Sequence, residues 1–90
     1  MTTYSPLKSM PYAQAKVRRD TNRVALISYT TTVCEIIGGV LVVHGLYSMT
    51  TRKHISAFMR EFGLDYYLAK ACYERGLGFD IVAREFVEGV

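Results

Sequence analysis

The sequence predicts an α+β protein: a small antiparallel sheet built on a β-hairpin, followed by two or three helices packed on one face. Three observations predict it. Arg23 to Ile37 is rich in β-branched and aromatic residues, which suit a pleated, half-buried surface. Gly38-Gly39 follows, and paired glycines accept the positive φ that a tight hairpin turn needs. Beyond Ser48 the apolar spacing becomes helical, with Ile55, Phe58, Met59 and Phe62 on one stripe. Strands followed by helices imply helices laid over one face of a sheet.

Ninety residues bound the chain to one domain with a modest core. Half the residues are apolar and 21% are charged, a globular rather than a disordered composition. The net charge of +3 is unevenly spread. Residues 1–23 hold Lys8, Lys16, Arg18, Arg19 and Arg23 against Asp20, whereas six basic side chains meet seven acidic ones in 24–90. Residues 1–22 therefore read as a basic N-terminal arm, flexible or a short helix that Ser9-Met10-Pro11 opens and Arg19 closes. Residues 23–90 read as the single α+β domain.

Along Arg23–Ile37 neither alternate face is cleanly polar, so both are part covered or the strand bends near its threonines. The stretch Val24 to Tyr47 is apolar, yet Glu35, Ser28, Thr30 to Thr32 and Gly38-Gly39 interrupt it, which opposes a membrane span. Val40 to Tyr47 is the returning strand. Ser48 or Thr50 caps the first helix, and Gly63 ends it. Asp65 caps a second helix that runs through Arg75 to Gly76, with Leu68, Ala71, Cys72 and Arg75 on one side. Asp80 caps a third, with Val82, Ala83, Phe86 and Val87 inward, or the same segment is a strand. Two strands alone are marginal, so a third comes from the arm, the tail or a second copy. Edge pairing of two hairpins into a homodimer is the preferred solution.

Cys34 and Cys72 form no CxxC pair, and no secretory signal precedes them, so two reduced, buried thiols in the cytoplasm are expected. They share no chelate spacing with His44 and His54, so neither a metal nor a cofactor is expected. No nucleophile has a base beside it in sequence and no glycine-rich phosphate loop is present, so the chain reads as a non-enzyme.

Binding is then the remaining class, and three groups of residues are candidates. Arg52, Lys53 and His54 fall at the start of the first helix, where cations oppose the helix dipole and free N–H groups favour an anion or an acidic partner. Lys16, Arg18, Arg19 and Arg23 make the arm a second basic surface. Tyr66, Tyr67 and Tyr73 cannot all face inward from one helix, and exposed tyrosine favours interfaces. The helix pair also fits a helix-turn-helix count: Phe58, Phe62, Leu64, Ala69 and Cys72 take its apolar positions and Gly63 its turn. Met59 is too large for that motif's close approach, and the second helix offers one lysine among acids and tyrosines, so nucleic acid is the alternative partner.

One further pattern is present. Ser28, Tyr29, Thr31 and Val33, then Tyr47, Ser48, Thr50, Thr51, Lys53, His54, Ile55 and Phe58, resemble the core of a class of short proteins encoded by bacteriophages and prophages. The resemblance implies a phage setting in the cytoplasm of a bacterial host, and carries no catalytic residue with it. Small phage proteins without an enzymatic motif often act by binding host machinery, an argument from setting and not from residues. The resemblance thus implies a host protein or ribonucleoprotein partner, as for an anti-CRISPR-type inhibitor of a defence system.

Overall fold

The computed structural model describes residues 1–88. It is an α+β structure in which the sheet dominates. The order is β1 (Thr3–Pro6), β2 (Ala15–Asp20), β3 (Arg23–Ser28), β4 (Thr31–Ile37), β5 (Val40–Val43), α1 (Met49–Glu61), α2 (Tyr66–Arg75), β6 (Gly78–Asp80) and β7 (Glu85–Val87). The seven strands lie in sequence order in one sheet, each antiparallel to its neighbours.

The arm is not a helix. Residues 1–22 supply β1 and β2, and Leu7 and Val17 are fully buried. Val17 faces Leu26 across the ladder, between Lys16 and Arg18 on the opposite face. With only Ala15 and Val17 turned inward from so polar a strand, periodicity alone gives little sign of it. The third strand thus comes from the chain itself.

The long strand expected over Arg23–Ile37 is two strands. Tyr29 takes φ +58°, a left-handed conformation that no strand contains, and turns the chain between Ser28 and Thr31. The register shifts between Leu26 and Ile27, leaving Val33 as the extra residue of a bulge. Val33 and Cys34 are in consequence both buried, which is why neither alternate face looked polar. The Gly38-Gly39 turn forms as the sequence predicts, with φ +56° and +81°. The returning strand stops at Val43, short of Tyr47, whose φ is +49°.

Register sorts the two faces. Val17, Leu26 and Cys34 line up on one, as do Ile36, Leu41, Phe79 and Phe86. The helices cover this face: α1 packs on β3 and β4, α2 on β5. Arg18, Ala25, Glu35 and Val42 line up on the other face.

Ser48 is the N-cap of α1, its Oγ accepting from Thr51 N–H at 3.2 Å. Gly63 follows the helix at φ +70°, and Leu64 N–H reaches back to the Met59 carbonyl. The stripe Ile55, Phe58 and Met59 is wholly buried, and Phe62 packs against the core from the helix end. Burial of side chains this size contributes about 1.5–3 kcal/mol each. Asp65 caps α2, accepting from Leu68 N–H at 2.9 Å, and Gly76 ends it at φ +65°. The inner side of α2 is Ala69 and Cys72, with Leu68 partly buried; Arg75 is exposed, contrary to expectation.

No third helix forms over the described residues. The Asp80 carboxylate accepts from Val82 and Ala83 N–H, both at 2.9 Å, and Arg84 at φ +61° closes a turn into β7. Asp80 therefore caps a hairpin turn, and Val82 and Ala83 are exposed at its tip. Phe79 and Phe86 pack edge to face across it, 5.4 Å apart.

Candidate functional site

The first turn of α1 contains no acid, and Arg52 at its end and Lys53 just beyond it project into water. Tyr66 and Tyr67, at the start of α2, come to the same place. Met49, Arg52, Lys53, Ser56, Tyr66 and Tyr67 line one shallow groove of about 360 Å³. Two groups that the sequence places thirteen or more positions apart thus form one surface. The two tyrosine rings meet edge to face at 5.9 Å, which leaves Tyr67 largely in solvent. None of the four ion pairs among the described residues involves Arg52 or Lys53. Tyr73 is exposed farther along α2 and does not line this groove.

The arm cations are differently placed. Arg18 pairs with Asp20 at 3.2 Å and Arg19 with Glu61 at 4.0 Å. Arg23 pairs with Glu35, whose other oxygen is 2.8 Å from Nε2 of His44. Lys16 stands over the Tyr4 ring, 5.1 Å from its centre. All four are held against the sheet by partners within the chain rather than massed on a free arm.

His54 leaves the surface cluster altogether. It is buried, with Nδ1 2.8 Å from the Ser28 hydroxyl, which lies 3.1 Å from the hydroxyl of Thr51. Thr51 in turn accepts from the Ser48 hydroxyl at 3.3 Å. Burial pushes the His54 pKa below its ordinary value, so the imidazole is neutral at physiological pH. Ser28, Ser48, Thr51 and His54 thus link the end of β3 to the start of α1. The Ser28–His54 pair has the contact of a nucleophile and its base, but both groups are closed to solvent.

Both cysteines are free and buried. Burial, and the nearby charge of Glu35, push the Cys34 thiol far up, and burial raises Cys72 despite Arg75 beside it. Among the described residues no three His, Cys, Asp or Glu side chains gather as a metal site, and no helix is long and apolar enough to cross a membrane.

The model of a family described as "Family of unknown function (DUF8033)" matches residues 2–75. The chain belongs to this family. The DUF8033 match runs from the first strand to the last residue of α2, and so takes in every residue of the groove and of the Ser28–His54 network. No curated protein and no solved structure matches the chain.

Four further tyrosines are exposed, Tyr4 on β1 and Tyr12, Tyr29 and Tyr47 in loops. Tyr29 and Tyr47 adjoin Ser28 and Ser48 in sequence, both with positive φ, and Tyr12 lies in the β1–β2 loop. Their composition gave no signal, because positive φ at a tyrosine is set by surroundings and not by propensity.

Proposed function

We propose that this protein is a non-catalytic binding protein that docks a macromolecule of a bacterial host through the α1–α2 groove, as a phage-borne inhibitor of a defence complex does. One observation carries the reading: Arg52, Lys53, Tyr66 and Tyr67 converge on a single groove, with neither cation in an ion pair among the described residues. A helix start gains a few tenths of a kcal/mol from acids and loses as much to cations, so α1 alone does not favour these two. Tyrosine and arginine are among the residues enriched at interface hot spots. The inaccessible Ser28–His54 pair and the raised thiols support a non-catalytic role. The bacterial cytoplasm and the phage setting follow from the resemblance of the Ser28–Val33 and Tyr47–Phe58 residues to phage-encoded proteins.

The test is capture from a bacterial lysate with tagged protein, identified by mass spectrometry, with and without nuclease. Wild type should retain a specific protein or ribonucleoprotein, and Arg52→Glu with Lys53→Glu should lose it while melting normally. Capture that survives the double reversal removes the groove from the interface. Capture that nuclease abolishes makes the partner nucleic acid.

A further inference from the structure

Three loops meet at one end of the sheet: residues 7–14 between β1 and β2, 29–30 between β3 and β4, and 44–48 between β5 and α1. Each presents one tyrosine to solvent. Tyr12 is 98% exposed, Tyr29 53% and Tyr47 58%, and Met49, 70% exposed, begins α1 beside them. Tyr29 N–H donates to the Gln14 carbonyl at 2.7 Å, which binds the second loop to the first.

Two of these tyrosines are held where tyrosine is disfavoured. A non-glycine residue at positive φ is strained, and persists only where its surroundings hold it. A network of side-chain hydrogen bonds adjoins both residues. Ser28 and Ser48, the immediate neighbours of Tyr29 and Tyr47, are tied to each other through Thr51. Tyr47 stands at the position before the N-cap, where an apolar residue usually staples onto the helix. The staple position here is Arg52, and the Tyr47 ring lies over Gly45 instead: a Cβ at Gly45 would stand 2.7 Å from it.

The charge of this end has one sign. The three loops contain no Asp or Glu, and none occurs from Ile36 to Arg60. Glu61, which adjoins the first loop, is occupied by Lys8 N–H and Arg19. The surface is therefore cationic and aromatic, and Met49 carries it without a break into the groove of Arg52, Lys53, Tyr66 and Tyr67.

We infer that the three-loop end and the groove form one docking surface whose partner is an acidic protein segment with apolar anchors. The inference rests on the groove reading above. A phosphate backbone is the poorer fit. The cations it needs in number, Arg18, Arg19 and Arg23, are already held by Asp20, Glu61 and Glu35. Three cations outside the ion pairs of the described residues, Lys8, Arg52 and Lys53, spaced among tyrosines, match scattered carboxylates between apolar side chains.

Fluorescence anisotropy with a labelled acidic peptide, Glu alternating with Leu and Phe, tests the inference, with oligothymidylate and a DNA duplex as further probes. Asparagine tolerates the left-handed conformation, so Tyr29→Asn and Tyr47→Asn should melt no lower than wild type, yet bind the peptide at least tenfold more weakly. Gly45→Ala displaces the Tyr47 ring without touching its backbone, and should weaken the peptide in the same way even where an asparagine variant folds poorly. Unchanged peptide affinity in all three variants overturns the inference. So does oligothymidylate or duplex binding without peptide binding, or no binding of any probe. If the peptide fails while Arg52→Glu with Lys53→Glu still abolishes capture from lysate, this inference falls and the groove reading stands.

Discussion

The Ser28 hydroxyl stands 2.8 Å from Nδ1 of His54, joining the last residue of β3 to the second turn of α1 out of reach of water. Ser28→Ala strands a buried ring nitrogen and should cost about 1–3 kcal/mol in urea unfolding. Removing both partners together, as Ser28→Ala with His54→Phe, should cost less than the sum of the single changes, because no polar group is then left unpaired. Additive costs would mean that the two side chains do not interact.

The same histidine sets a pH dependence. Burial lowers its pKa in the folded state, so below its ordinary value of 6.5 the unfolded chain binds a proton that the folded chain refuses. Stability should be level above that pH and fall as the pH drops through it. Replacing His54 with Gln should flatten this slope between pH 7 and pH 5. An unchanged slope would assign the acid sensitivity to other groups.

Phe58 is fully buried on α1, edge to face with Phe62 at 5.0 Å. Phe58→Ala should cost about 3–5 kcal/mol, measured by thermal and urea unfolding. A melting temperature equal to wild type would remove α1 from the core.

Glu35 is buried on the sheet face away from the helices, with Arg23 and His44 on its two oxygens. Arg23→Ala leaves it a single partner, and should destabilise by about 1–3 kcal/mol. In the background of Glu35→Gln the same change should cost much less, since no buried charge is then uncompensated. Equal costs in the two backgrounds would show the pair to be idle.

Arg52→Glu with Lys53→Glu should raise stability by a few tenths of a kcal/mol, since α1 has no acid in its first turn. Loss of binding with a gain in stability is the signature of residues kept for a partner. A fall in melting temperature would instead give them a role in folding.

Much of this was legible along the chain because it is local. Ser48, Asp65, Gly63 and Gly76 act within one turn of themselves, and the Gly38-Gly39 turn needs only its own backbone freedom. The stripe Ile55, Phe58 and Met59 repeats at the helix period. These residues by themselves determined an α+β protein, two helices with their ends, one hairpin, and Arg52 and Lys53 as cations that α1 does not favour. The tertiary structure decided what depends on distant partners. Val17 becomes a strand residue because Leu26 lies beside it, and the arm cations are neutralised by acids as far away as Glu61. His54, which sequence placed with Arg52 and Lys53, turns to Ser28, twenty-six positions back. Tyr29 and Tyr47 take a backbone that no local preference selects, beside the hydrogen-bonded β3–α1 junction. Local grammar is readable in one dimension, whereas burial and strain are properties of neighbours that the fold alone brings together.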